Sequence, residues 1–208
     1  MLINGEPMRN PRSGTDRTPA GRAPRATIVG VTAVELVPSD ELDAHTRTAL
    51  HALWQDAFGD RFTADDERHA FGGVHALVRE DDGTLVAHAA AVPRTLLAGD
   101  RPLRTAYVEA VAVRGPRRRG GLGSLAMRSL EPVIRTGFEL GGLSSASGAF
   151  YTRLGWERWR GPSSVLRSGA PVRTPDDDRY LHVLRFGPSA DLDLTLPLTC
   201  DDRPGHVW

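Results

Sequence analysis

The stretch YVEAVAVRGPRRRGGLGSLAMRSLEPVI, from Tyr107 to Ile134, constrains this chain more than any other. It opens as a β-branched and apolar strand. It closes with Leu122, Leu125, Ala126, Leu130, Val133 and Ile134 on one helical face. The seven-residue link 114–120 and the helix start hold four arginines (Arg114, Arg117, Arg118, Arg119) and, after Gly115, three more glycines (Gly120, Gly121, Gly123). This order makes an anion site. Backbone N–H groups at a helix start are unpaired, glycines let a phosphate approach them, and guanidinium groups add charge-assisted hydrogen bonds. The implied ligand bears a phosphate, and a pyrophosphate suits the length of the turn. A P-loop is excluded because it needs a lysine, and all 26 basic residues here are arginine. Gly121, Gly123 and Ala126 match G-x-G-x-x-A on paper. That fingerprint, however, sits directly after the strand of a βαβ unit and needs an acid closing the next strand. Here a loop intervenes, and the next strand ends in Leu143, Ser144 and Ser145. For the glycines alone, a solvated basic loop remains open. Pro132 is expected to kink the helix or end it early.

The elements around this unit are mixed. ATIVGVTAVELVP reads as a strand, followed by a helix over SDELDAHTRTALHALWQDAF with Ser39 and Asp40 as candidate caps. TADDERHAF is a short helix with Thr63 as its cap. GVHALVRED and TLVAHAAAVPR flank Asp82 and Gly83, a hairpin signal. LRTAYVEAVAV is a central strand, ELGGLSS a short one, and SGAFYTRLG a short helix closed by Gly155. WERWRGPSSVL and YLHVLRFG read as the last two strands. Strands adjacent in sequence favour an α+β fold with a mostly antiparallel central sheet flanked by helices over a doubly wound one.

Residues 1–25 are rich in Pro, Gly, Arg, Ser and Thr and cannot repay the entropy of ordering, so a disordered tail is expected there and one folded domain over 26–208. Net charge is zero, which gives no global field toward nucleic acid or membrane. No apolar run is long enough to span a bilayer and no apolar segment marks a secretory signal, so the cytoplasm is the expected location. One cysteine, Cys200, excludes an internal disulfide framework and a cysteine-rich metal site, and no metal is expected.

VAVRGPRRRGGLGSLAM resembles the first signature of the GNAT superfamily of acetyltransferases, Arg/Gln-x-x-Gly-x-Gly/Ala at a strand–loop–helix junction, through Arg118, Gly121 and Gly123. AFYTRLGW resembles its second signature, a tyrosine in a short helix before Gly and an aromatic. YVEAVAV, LSSAS, GPSSVL, RTPDDD and the ending HVW are together similar to the aminoglycoside 2'-N-acetyltransferases, over nearly everything from Thr32 to Trp208. The resemblance implies the GNAT fold, acetyl-CoA as co-substrate, a homodimer, and direct acetyl transfer in a ternary complex to a 2'-amino group. It implies that Val111, Ala112 and Val113 offer their backbone to the pantetheine arm, and that Arg118, Arg119, Gly120, Gly121, Leu122 and Gly123 hold the pyrophosphate.

Acyl transfer to an amine needs a base for the amine proton and an acid for the departing thiolate. Strand alternation would put Tyr107, Glu109 and Val111 on one face. A carboxylate in so apolar a strand either lines a cleft, stands at an edge, or pairs with an arginine. The resemblance implies Glu109 as base, through a water, and Tyr151 as acid; on residues alone Tyr151 reads as a packed aromatic. A polycationic substrate calls for carboxylates and hydroxyls. By resemblance these are Asp60, Asp66, Glu109, Asp177, Ser144 and the terminal carboxylate of Trp208, with Ala110 beside them. Asp65, Asp66 and Glu67 would equally favour a helix N-terminus, and residues 176–178 a solvated turn. Spacing near Asp60 departs from the family, and His206 stands where an aspartate is expected. Another small amine or polyamine, or a non-catalytic acyl-CoA sensor, is the alternative.

Overall fold

A computed structural model describes residues 31–208. The tail expected over 1–25 and the start of the domain at Ala26 lie outside the described residues. Ten strands form one sheet: β1 (Val31–Pro38), β2 (Val74–Glu80), β3 (Leu85–Ala98), β4 (Arg101–Val113), β5 (Leu140–Ser144), β6 (Glu157–Arg158), β7 (Ser163–Arg167), β8 (Ala170–Arg173), β9 (Leu181–Arg185) and β10 (Leu198–Asp201). The order is β6-β9-β5-β4-β3-β10-β7-β8, with β2 joining β3 and β1 joining β2. Pairing is antiparallel except for β4 with β5 and β10 with β7. Four helices flank the sheet: α1 (Ala44–Phe58), α2 (Ala64–Ala70), α3 (Leu122–Gly137) and α4 (Gly148–Thr152). The α+β expectation holds. Among the described residues no helix is long and apolar enough to cross a membrane.

The long strands β3 and β4 organise the sheet. The first half of β3 pairs with β2 and its end pairs with β10, so one strand serves two neighbours on the same side. The periodic face of α3 puts Leu122, Ala126, Met127, Leu130 and Ile134 onto one side of the sheet, against Ala76, Val78, Ala87, Ala89, Ala106 and Val108. Leu50, Leu53 and Trp54 of α1 cover the other side with Leu77, Leu85 and Ala112. A third cluster unites Tyr107, Leu103 and Leu96 with Trp159, Leu198, Cys200 and Trp208. The end of the chain is therefore packed into the core.

Local expectations fail in four places, each for a physical reason. The cap of α1 is Asp43, whose Oδ1 accepts from Thr46 N at 2.7 Å. Ser39 is otherwise engaged: its Oγ accepts from Gly72 N and Gly73 N and lies 2.7 Å from His75 Nε2. Helix α3 runs five residues past Pro132, because Ile134 is still buried against the sheet and one lost backbone bond does not outweigh that burial. WERWRGPSSVL splits into β6 and β7, because Arg160 N and Gly161 N leave the ladder to donate to Leu194 O and Pro162 has no N–H to continue it. The strands β8 and β10 were not legible: four residues each, they carry no alternation long enough to read. Ser168 (φ 50) and Gly169 (φ 80) form the two-residue turn between β7 and β8, both in the left-handed region that such hairpins require.

Candidate active site

The site begins where β4 and β5 part. Their ladder runs Thr105 with Leu140, Ala106 with Gly141 and Tyr107 with Gly142, and stops there, while β4 continues to Val113. At the same point β4 bulges. His88 pairs with Ala112 and Ala90 with Glu109, so Ala110 and Val111 together face Ala89. Ala110 takes φ 50, a left-handed value for a residue with a side chain. The bulge reverses the alternation expected for this strand. Val111 and Val113 turn to the α3 side with Val108, while Ala110 and Ala112 turn to the α1 side, so Val111 does not share a face with Tyr107.

A buried relay supports the bulge. His88 Nδ1 lies 2.9 Å from Ala110 O, His75 Nδ1 lies 2.9 Å from His88 Nε2, and Ser39 Oγ lies 2.7 Å from His75 Nε2. Trp54 Nε1 also points at His88 Nδ1, at 3.2 Å. One ring nitrogen cannot both accept from the indole and donate to a carbonyl. The indole can only donate and the carbonyl can only accept, so the relay has two proton arrangements: one runs from Ser39 Oγ–H through His75 to an Nδ1–H on His88 that donates to Ala110 O, the other from Trp54 Nε1–H to His88 Nδ1 and on through His75 to Ser39 and Gly73 O. Burial pushes His75 down to about 4 and His88 down to about 3, so both rings are neutral near pH 7.

On the α3 side of the split lies a cleft of about 670 Å³. Its walls include Val111, Ala112 and Val113 of β4, Phe58 of α1, and Phe150 and Tyr151 of α4. Its floor is the start of α3. Gly121 is the N-cap at φ 84 and gives no side-chain cap, so the first N–H groups of α3 are left for a ligand. Arg61, Arg118, Arg119 and Arg153 line the rim. Arg118 braces the loop: its Nη2 donates to Ala57 O at 3.0 Å and its Nε to Val113 O at 3.3 Å. An apolar channel ending in a positive helix start fits an elongated thioester with a pyrophosphate. Tyr151 is buried, and burial pushes its hydroxyl up to about 12, with a hydrogen bond from Ser145 pulling the other way. It is therefore a protonated donor across the physiological range.

Beyond Ser145, which lines both, a second cleft of about 520 Å³ opens. Asp66, Glu109, Ser144, Asp177 and Trp208 line it, with Tyr180, Arg167, Arg203 and His206. Glu109 is only 16 % exposed, and its Oε1 accepts from Arg203 Nη1 at 2.7 Å. Burial raises its pKa, and Arg203 and then Arg94 offset part of that rise. Burial also raises Asp177, with a hydrogen bond from Thr174 opposing. Asp66 does two things. Its Oδ2 accepts from Thr63 N in a capping box, and its Oδ1 lies 3.3 Å from His206 Nδ1. Asp178 belongs to the scaffold: hydrogen bonds from Arg173 and Ser163 outweigh its desolvation and hold it at about 2. Trp208 is buried, its Nε1 donating to Thr174 Oγ1 at 2.8 Å, while Arg94 Nη1 donates to Val207 O at 2.8 Å. The chain end is pinned against the cleft.

The sequence of the acetyltransferase (GNAT) domain family matches residues 40–159 of this chain. The chain belongs to the GNAT acetyltransferases. It is 44 % identical over 177 residues to the aminoglycoside 2'-N-acetyltransferase of Mycolicibacterium fortuitum, covering 83 % of this chain and 90 % of that protein. Its fold is similar to that of a GNAT family N-acetyltransferase from Escherichia coli solved in complex with CoA, with TM-score 0.61, 16 % identity, and coverage of 82 % of this chain and 89 % of that one. It is also similar to a GNAT family acetyltransferase from Brucella melitensis in complex with acetyl-CoA, with TM-score 0.51, 18 % identity, and coverage of 76 % and 90 %.

Within this GNAT domain the geometry brings together most residues singled out from the sequence. Glu109, Asp66, Ser144, Asp177 and Trp208 share one cleft; Val111, Ala112, Val113, Arg118, Arg119, Gly121, Leu122, Gly123 and Tyr151 share the other. Three do not join them. Asp60 stands exposed on a 3-10 turn (Gly59–Arg61) and lines neither cleft; its neighbour Arg61 lines the first. Gly120 is exposed on the loop outside the cleft lining. Ala110 lies at the bulge with its carbonyl turned to His88, away from the acceptor cleft. Sequence reasoning missed Arg61, Arg153, Arg167 and Arg203. Of these only Arg203 carried a signal, as a cation inside the acidic ending DDRPGHVW.

Proposed function

We propose that the protein transfers the acetyl group of acetyl-CoA directly to the 2'-amino group of aminoglycosides, in a ternary complex. The observation that carries this reading is the junction of the two clefts at Ser145, where a channel suited to a thioester opens onto a carboxylate-lined cleft suited to a polycation. The 44 % identity to a protein named for that activity supports it. In this reading residues 26–208 carry the reaction. The N–H groups at Gly121, Leu122 and Gly123 take the pyrophosphate, Arg119 screens it with Arg61 and Arg153, and Arg118 keeps the loop in place. Val111 to Val113 run beside the pantetheine arm. Asp66 and Asp177 take ammonium groups, with Ser144 as a hydroxyl partner and Trp208 in the cleft wall. Glu109 removes the amine proton, through a water. The nitrogen attacks the thioester carbonyl, the C–S bond breaks, and Tyr151 gives its proton to the thiolate sulfur.

The exposed Val172 of the edge strand β8, with Leu166 beside it, supports a homodimer, and we infer a cytoplasmic location where acetyl-CoA is made. Light scattering tests the dimer. The regiochemistry tests the function: with neamine and acetyl-CoA, NMR of the product should show one acetyl group, on the 2'-nitrogen.

Two variants separate the clefts. Gly121→Val forces a β-branched residue to φ 84, costing about 1–3 kcal/mol of strain at the helix start. Acetyl-CoA affinity should fall roughly tenfold or more, and aminoglycoside affinity should stay, by calorimetry. Asp177→Asn removes one carboxylate from the other cleft. Aminoglycoside KM should rise roughly tenfold, the scale of one charge-assisted contact, with acetyl-CoA binding intact. His206 Nδ1 lies 3.3 Å from Asp66 in this cleft, so His206→Asp, which places a carboxylate there, should raise aminoglycoside affinity by calorimetry.

A further inference from the structure

The last segment of the chain brings a cation to the place a cationic substrate has to reach. Arg203 donates through Nη1 to Glu109 and through Nε to His206 O, at 3.0 Å. Its guanidinium lies 5.6 Å from the centre of the Tyr107 ring, against which Arg94 also rests, at 4.8 Å. Both arginines are largely buried, Arg203 at 12 % exposure, but they are anchored differently. Arg94 is 4 % exposed and fixed by the Asp201 carboxylate and the carbonyls of Asp201 and Val207. Arg203 follows the exposed Asp202 in a segment without regular structure, and it reaches the rim of a second open groove lined by Arg167, Asp202, Pro204 and Gly205. It can therefore leave Glu109 into space that already exists. Arg94 cannot.

We propose that Arg203 is an internal competitor of the substrate: it occupies Glu109 in the resting enzyme, and an acceptor amine reaches Glu109 by displacing it. Arg203 thus sets a fixed cost that every acceptor amine must meet. A lone ammonium group only exchanges one cation for another at Glu109 and gains little. A polycation sets further ammonium groups on Asp66 and Asp177 as it enters, and those contacts offset the lost ion pair. The groups facing Glu109 are Arg203 and Arg94, which favour its charged form, and Asp66 and the buried Tyr107, which do not. Arg203 thus also favours the charged form of a buried base until the amine replaces it. The inference rests on the reading of this cleft as an amine site.

The test compares the whole chain with Arg203→Ala and with Arg203→Gln, which keeps a hydrogen-bond donor without the charge and guards against a folding effect in Ala. Calorimetry measures neamine, a polycation, and glucosamine, which carries one amine. Both variants should bind glucosamine and neamine about tenfold more tightly than the parent, because each amine is relieved of displacing the same ion pair. In protein labelled with ¹³C at the glutamate carboxyls, and assigned with Glu109→Gln, the Glu109 titration should move to higher pH in both variants. Guanidinium chloride at millimolar concentration should reverse that shift in Arg203→Ala. Unchanged glucosamine affinity, or equal weakening of both amines, overturns the proposal, because Arg203 then supports the site and does not compete for it. These readouts need no turnover. Neamine that binds but is not acetylated would count against the acetyltransferase reading and leave the competition standing.

Discussion

Glu109→Gln should lower kcat for aminoglycoside acetylation about 10²–10⁴-fold, the usual cost of removing a positioned base. The loss should depend on pH in a defined way. Burial raises the Glu109 pKa and Arg203 restrains the rise, so the parent should lose kcat/KM as pH falls through a value above the ordinary carboxylate range. The variant has no group to take the amine proton. It should be most impaired at acid pH and should recover in part at alkaline pH, where the amine is already neutral. Because Gln keeps the volume and can still accept from Arg203, thermal stability should change far less than activity. A variant with parental turnover at pH 6 would show that solvent takes the proton.

Tyr151→Phe should cut kcat by a similar factor, about 10²–10⁴-fold, while both ligands still bind. The ring is packed by Phe150, Trp156 and His182 and is retained in Phe, so only the hydroxyl is lost. With its pKa near 12, the parent hydroxyl stays protonated through the working range, and no alkaline limb should arise from it below that value. A thioester with a more acidic leaving thiol needs less help, so the deficit of the variant should shrink with such a donor. An undiminished kcat in folded Tyr151→Phe would hand the proton transfer to water.

What could be read from the sequence was chemistry with a local cause. The arginine–glycine turn was legible because glycine at φ 84 and an uncapped helix start leave a direct mark on residue type. The hairpin at Asp82 and Gly83, the Thr63 cap and the face of α3 were legible for the same reason. The β4 bulge was not. Ala110 is an ordinary strand residue, and what holds it at φ 50 is His88, twenty-two positions away, itself held by His75. That hidden bulge moved Val111 off the face it was expected to share with Tyr107 and Glu109. The cap of α1 moved from Ser39 to Asp43 because Ser39 is drawn to Gly73 and His75 by tertiary contacts. The acceptor cleft was legible only through resemblance, since Asp66, Glu109, Asp177 and Trp208 come from four distant segments. Even so, the ion pair of Glu109 with Arg203, ninety-four positions on, needed the structure.

The central claim is that one nitrogen of a polycationic amino sugar is acetylated from acetyl-CoA. Thiol release with the purified protein and acetyl-CoA tests it most directly, using two aminoglycosides that differ only in bearing an amine or a hydroxyl at the 2'-position. The account predicts saturable release with the 2'-amine and a kcat/KM at least about 10²-fold lower with the 2'-hydroxyl, while the two bind with comparable affinity. Equal release from both, or release from neither alongside rapid turnover of a simple monoamine, would contradict it.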